Sequence, residues 1–210
     1  MNKKSFIQKL PNRITIFRIL LVIIFIPLLL EGKKEERMLF SYLALAVFLI
    51  AALSDFFDGY IARRFKVESN FGAVMDPLAD KILVFAALLC FVQLQILPAW
   101  MVIIIVSREF MISGIRIMTA KRGEIMPASL SGKIKTVVEI AAIIVILLMI
   151  ALHNTNLHYG IKAEDIDGLR AESIMLRFVP YWLMFTATVF AVISGLEYLF
   201  KSWKMFDEEI

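Results

Sequence analysis

Apolar residues fill this chain in long unbroken runs, separated by short polar punctuation. About 20 helical residues at roughly 1.5 Å each span a hydrocarbon core of about 30 Å, so runs of this length predict transmembrane helices. Six are expected, near 14–30, 38–64, 72–95, 98–120, 132–153 and 174–200. Before the first of them, Lys4 to Leu10 sets Phe6, Ile7 and Leu10 among lysines. That pattern predicts a short amphipathic helix on the membrane surface. The fold class expected is therefore an all-α integral membrane bundle of six helices with a short N-terminal amphipathic helix, forming one domain over 1–210.

Composition agrees: 60% of the 210 residues are hydrophobic, and the mean hydropathy is +0.79. One water-soluble core of this size needs far less apolar mass. The first run follows Lys3, Lys4, Lys9 and Arg13 as a secretory signal would, but no small-residue cleavage site follows it. The single cysteine, Cys90, excludes an intramolecular disulfide and reads as a packing residue. The formal charge of +4 resides beside the apolar runs, so a membrane surface, not nucleic acid, is the expected anionic partner.

Lysine and arginine gather at the N-terminus, at Arg63, Arg64 and Lys66, over Lys121 to Lys135, and at Lys201 and Lys204. Retained cytoplasmic loops carry such residues, so both termini are expected in the cytoplasm, with the chain multi-pass in the cell (cytoplasmic) membrane. The opposite side has an uncharged turn at Gln93 to Leu97 and the polar loop His153 to Ser173, which puts His153 and His158 away from the cytoplasmic face.

Four carboxylates interrupt this picture. Asp55 and Asp58 end one apolar helix, and Asp76 and Asp80 begin the next. Carboxylates at a membrane helix are costly and argue for function. Spacings of three and four put each pair on one helix face, and a short turn makes the two helices neighbours. Four converging carboxylates need positive charge between them, and hard oxygen donors suit Mg²⁺ or Mn²⁺, two of which can bridge a pyrophosphate. Gly59 and Gly72 remove side chains where a ligand approaches, and Arg63 brings a permanent positive charge one turn after Gly59. The same aspartates, taken alone, would also suit a divalent-cation transporter. That reading requires carboxylates near the bilayer midplane, whereas these gather at one face.

Asp55-x2-Asp58-Gly59-x2-Ala62-Arg63-x8-Gly72-x3-Asp76-x3-Asp80 resembles the complete signature of the CDP-alcohol phosphotransferase family. The resemblance covers nearly the whole chain. It implies that Asp55, Asp58, Asp76 and Asp80 hold two divalent cations, and that Asp80 is the base that deprotonates the acceptor alcohol. It also implies that Asp58, Gly59, Ala62, Arg63 and Gly72 line the site of the CDP-activated lipid. Asn12 and Thr15 belong either to that site or to the cap of the first helix. A homodimer is implied in the same way.

Pro11-Asn12-x2-Thr15-x2-Arg18, Ser107-Arg108-Glu109-Phe110, Ser113-Gly114-x-Arg116 and Gly132-Lys133-Ile-Lys135-Thr136 are similar to the phosphatidylglycerophosphate synthases of that family. The implied donor is CDP-diacylglycerol and the implied acceptor glycerol 3-phosphate. Inositol phosphate, serine or a phosphatidyl group are the alternatives under the same mechanism. Arg116, Lys133 and Lys135 are candidate phosphate ligands near the depth of the carboxylates. Two readings stand for Arg108: contact with the acceptor phosphate, or an ion pair that braces the bundle. Lys81 either snorkels, pairs with Asp80 or takes part in binding.

Overall fold

A computed structural model describes the backbone of 3–32, 37–65, 70–121, 129–159 and 166–207, and the side chains of 16–32, 37–54, 81–119, 129–159 and 175–203. The described residues form six α-helices and no strand: α1 Lys3–Glu31, α2 Met38–Phe65, α3 Asn70–Gln93, α4 Ala99–Lys121, α5 Leu130–His158 and α6 Ile166–Asp207. All six expected helices are present in order. Three differ in extent. Helix α1 is continuous from Lys3, so Lys4 to Leu10 forms its first turns instead of a separate helix; its lysines, glutamine and leucine are good helix formers. The loop expected over His153 to Ser173 is mostly helical, because α5 runs to His158 and α6 starts at Ile166. Polar residues end an apolar run without ending a helix.

Two of these helices contain stretches long and apolar enough to cross a membrane, Leu130–His158 and Met175–Trp203. Shorter apolar stretches, Met38–Ser54 and Lys81–Gln93, lie in α2 and α3. At 42 residues, α6 extends roughly 63 Å, about twice a hydrocarbon core. Large apolar side chains face outward along every helix, among them Ile23, Leu53, Leu89, Ile103, Val137 and Phe200. In water such surfaces would drive aggregation; in a bilayer they meet lipid.

The chain divides into two compact units. The first holds Met1–Cys90 and Ile146–Arg170, the second Phe91–Val145 and Ala171–Ile210. In the first, α1 packs on α2, with the Phe25 and Phe48 rings 5.7 Å apart. Buried Ala44, Ala51 and Ala87 let backbones approach closely. A buried polar knot ties α5 to the α1–α2 connection. The Asn154 side-chain amide donates to the Gly32 carbonyl at 2.6 Å and to Ser41 Oγ at 2.5 Å. Ser41 Oγ in turn donates to the Gly32 carbonyl at 3.3 Å. Beside it, the Tyr42 and Thr155 hydroxyls are hydrogen-bonded at 3.1 Å.

In the second unit, the expected turn after α3 closes with Gln95 at φ 57° and the Ile96 amide donating back to the Phe91 carbonyl at 2.9 Å. Pro98 then leads into α4. Helix α5 is started by Ser129, whose Oγ accepts the Gly132 amide at 3.2 Å. This cap places Gly132, Lys133 and Lys135 in the first two turns.

Candidate active site

The four aspartates occupy the helical positions that their spacing predicts. Asp55 and Asp58 lie three residues apart in α2, Asp76 and Asp80 four apart in α3, and both helices belong to the first unit. Gly59, Ala62 and Arg63 follow in α2, and Gly72 lies near the start of α3. Asn12 and Thr15 lie well inside α1, which begins at Lys3, so neither caps that helix. The side chains of these ten positions, 12, 15, 55, 58, 59, 62, 63, 72, 76 and 80, lie outside the described residues. Among the described residues no cluster of three His, Cys, Asp or Glu side chains is present.

The candidate acceptor residues are described, and all four belong to the second unit. They separate into two kinds. Lys135 and Arg108 are enclosed in a chain of charges. Lys135, on α5, is 1% exposed and donates from Nζ to Glu139 at 2.6 Å and to Glu109 at 2.9 Å. The same Glu109 oxygen accepts Arg108 Nη1 at 2.6 Å. Two cations and two carboxylates balance, which is what permits four charged groups to share an enclosed place. Arg108 is fixed further by Ser194 of α6, whose hydroxyl accepts Nε at 3.1 Å and Nη2 at 2.8 Å and donates to the Ala191 carbonyl at 3.1 Å. Two glycines make room for it. A Cβ at Gly132 would stand 3.3 Å from Arg108 Nη2, and one at Gly195 would stand 3.3 Å from Arg108 Cγ.

Arg116 and Lys133 are the other kind, both exposed. Arg116 Nη2 donates to the Tyr198 hydroxyl at 3.0 Å, and its guanidinium carbon stands 5.5 Å from the centre of the same ring. Next to them Ser131 donates to Glu197, linking the start of α5 to α6.

Four residues of this constellation carry no expectation from sequence as site residues: Glu109, Glu139, Ser194 and Tyr198. Glu139 has a readable signal, standing four residues after Lys135 in an otherwise apolar helix. Glu109 lies beside Arg108 within a quoted motif. Ser194 and Tyr198 have none, because their partners lie 86 and 82 residues away.

Comparison with known proteins assigns the chain to a family. Residues 8–193 match the family model described as CDP-alcohol phosphatidyltransferase. A Bacillus subtilis (strain 168) protein named CDP-diacylglycerol–glycerol-3-phosphate 3-phosphatidyltransferase is 41% identical over 203 residues, covering 93% of this chain and 95% of its own. A Rickettsia typhi protein of the same name is 30% identical over 95% of this chain and 99% of its own. A probable phosphatidylglycerophosphate synthase of Mycobacterium tuberculosis (strain H37Rv) is 36% identical over 65% of each chain. With its carboxylate signature intact within the matched span, the chain is a membrane-embedded transferase and belongs to the CDP-alcohol phosphatidyltransferase family.

Proposed function

We propose that the chain transfers the phosphatidyl group of CDP-diacylglycerol to sn-glycerol 3-phosphate, giving phosphatidylglycerophosphate and CMP. The observation that carries this reading is the near full-length similarity to the Bacillus subtilis enzyme named for that reaction. The cations of the second unit support it. A phosphomonoester acceptor brings a dianion, and Arg116 and Lys133 are exposed cations suited to meet it. Serine as acceptor would have no such dianion to neutralise.

The donor set fits divalent cations. Four carboxylates on two consecutive helices are hard oxygen ligands, so Asp55, Asp58, Asp76 and Asp80 would hold two ions, Mg²⁺ or Mn²⁺. Bound there, such ions would offset the diphosphate charge and stabilise the leaving CMP. Asp80 also serves as the base: a carboxylate oxygen takes the proton from the acceptor hydroxyl. The freed oxygen attacks the β-phosphorus of CDP-diacylglycerol, and the bond from that phosphorus to the bridging oxygen breaks. Asn12, Thr15, Gly59, Ala62, Arg63 and Gly72 take the cytidine diphosphate portion, with Arg63 meeting its negative charge. Six helices cross the cell membrane with both termini cytoplasmic, and the reaction proceeds at the cytoplasmic face of a homodimer.

Purified protein in detergent, given Mg²⁺ or Mn²⁺, CDP-diacylglycerol and a panel of soluble alcohols, tests this. Glycerol 3-phosphate should trigger CMP release. Release with inositol phosphate or serine instead would move the reaction to another acceptor, and cation flux into proteoliposomes without CMP release would mark a transporter.

A further inference from the structure

Arg108 and Arg116 lie two turns apart on α4, yet they are held in opposite ways. Arg108 is boxed by Ser194, Glu109 and the two glycines. Arg116 is exposed, and a long exposed cationic side chain loses rotamer entropy when a ligand immobilises it. Its contact with α6 lessens that loss. Tyr198 is 3% exposed and packs against Ile112, with Met111 and Ile115 around the pair, so the ring is an immobile part of the α4–α6 packing. From that anchored ring the hydroxyl accepts one N–H of Arg116, and the ring stands beside the guanidinium. The other N–H groups of the planar fork are left in a fixed direction.

We propose that Tyr198 is a positioning residue for acceptor recognition: it pre-orients the Arg116 guanidinium for the phosphomonoester of the acceptor, without itself touching that acceptor. This rests on the reading of Arg116 as an acceptor-phosphate ligand. Pre-orientation lowers the cost of binding and leaves the chemical step alone. Loss of the anchor therefore acts on the acceptor's KM more than on kcat, and only while Arg116 is present.

Four proteins decide it: the unsubstituted chain, Tyr198→Phe, Tyr198→Leu and Arg116→Ala, with the double variant Tyr198→Leu/Arg116→Ala as the control. Each is assayed in detergent for CMP release against glycerol 3-phosphate and against CDP-diacylglycerol. Tyr198→Phe keeps the ring and loses one hydrogen bond, so the acceptor KM should rise about threefold. Tyr198→Leu loses both contacts and should raise it about tenfold. The CDP-diacylglycerol KM should stay within twofold in each, and the double variant should match Arg116→Ala alone. An acceptor KM unmoved in Tyr198→Phe and Tyr198→Leu while Arg116→Ala raises it overturns the positioning role alone. Equal rises in both KM values, or additive effects in the double variant, mark Tyr198 as packing and also overturn it. An Arg116→Ala protein with an unchanged acceptor KM overturns the acceptor-site reading itself.

Discussion

Lys135 Nζ lies 2.6 Å from Glu139 one turn further along α5, with neither side chain more than 4% exposed. A charged pair so enclosed is stable only while both partners are present. Removing one leaves an uncompensated charge at a cost of about 3–5 kcal/mol, whereas replacing both with apolar groups is often neutral. Lys135→Met should therefore lower the thermal unfolding midpoint in detergent sharply, and Lys135→Met/Glu139→Leu should recover most of the loss. An unchanged midpoint in Lys135→Met would show that the pair is not enclosed in the working protein.

Asn154 makes a comparable prediction for the first unit. Its amide supplies two buried hydrogen bonds, to Gly32 and Ser41. Asn154→Leu strands the Gly32 carbonyl's second lone pair and should cost about 1–3 kcal/mol, read from thermal unfolding. Gly32→Ala should disturb the same knot, since its Cβ would come 2.6 Å from Ser41 Oγ.

Three helical glycines should respond unequally to alanine. A Cβ at Gly114 meets nothing within 4 Å, so Gly114→Ala should stabilise by about 0.5–1 kcal/mol through helix propensity alone. At Gly132 and Gly195 the new methyl presses on Arg108, and the same propensity gain should be offset. Unfolding midpoints of the three variants check the order: Gly114→Ala highest.

Much of this arrangement was legible in the sequence. Apolar run length marked six helices in order, because long apolar stretches leave a compositional trace along the chain. The spacing of Asp55, Asp58, Asp76 and Asp80 is likewise local, set by helical periodicity. The ends of α5 and α6 were not legible, since their polar terminal turns remain helical after the apolar run stops. Arg116 could be read as a phosphate ligand and Arg108 as either a phosphate ligand or an ion-paired brace, but the groups that hold each could not be named. What separates them is a serine and a tyrosine on α6, brought there by packing and not by sequence neighbourhood. Lys135, read as a phosphate ligand, lies instead between two carboxylates in the described structure, Glu109 and Glu139.

Asp80→Asn keeps the shape of the carboxylate and removes its basicity. Turnover should fall by about 10²–10⁴-fold with the unfolding midpoint unchanged. A variant with ordinary turnover would remove Asp80 from the role of base.

The most direct test of the proposed activity is mass-spectrometric product analysis of purified protein supplied with CDP-diacylglycerol, Mg²⁺ and an equimolar mixture of glycerol 3-phosphate, inositol phosphate and serine. The prediction is phosphatidylglycerophosphate and CMP in equal amounts, abolished by chelator and restored by the cation. A product built on inositol phosphate or serine, or CMP release that survives complete metal removal, would contradict it.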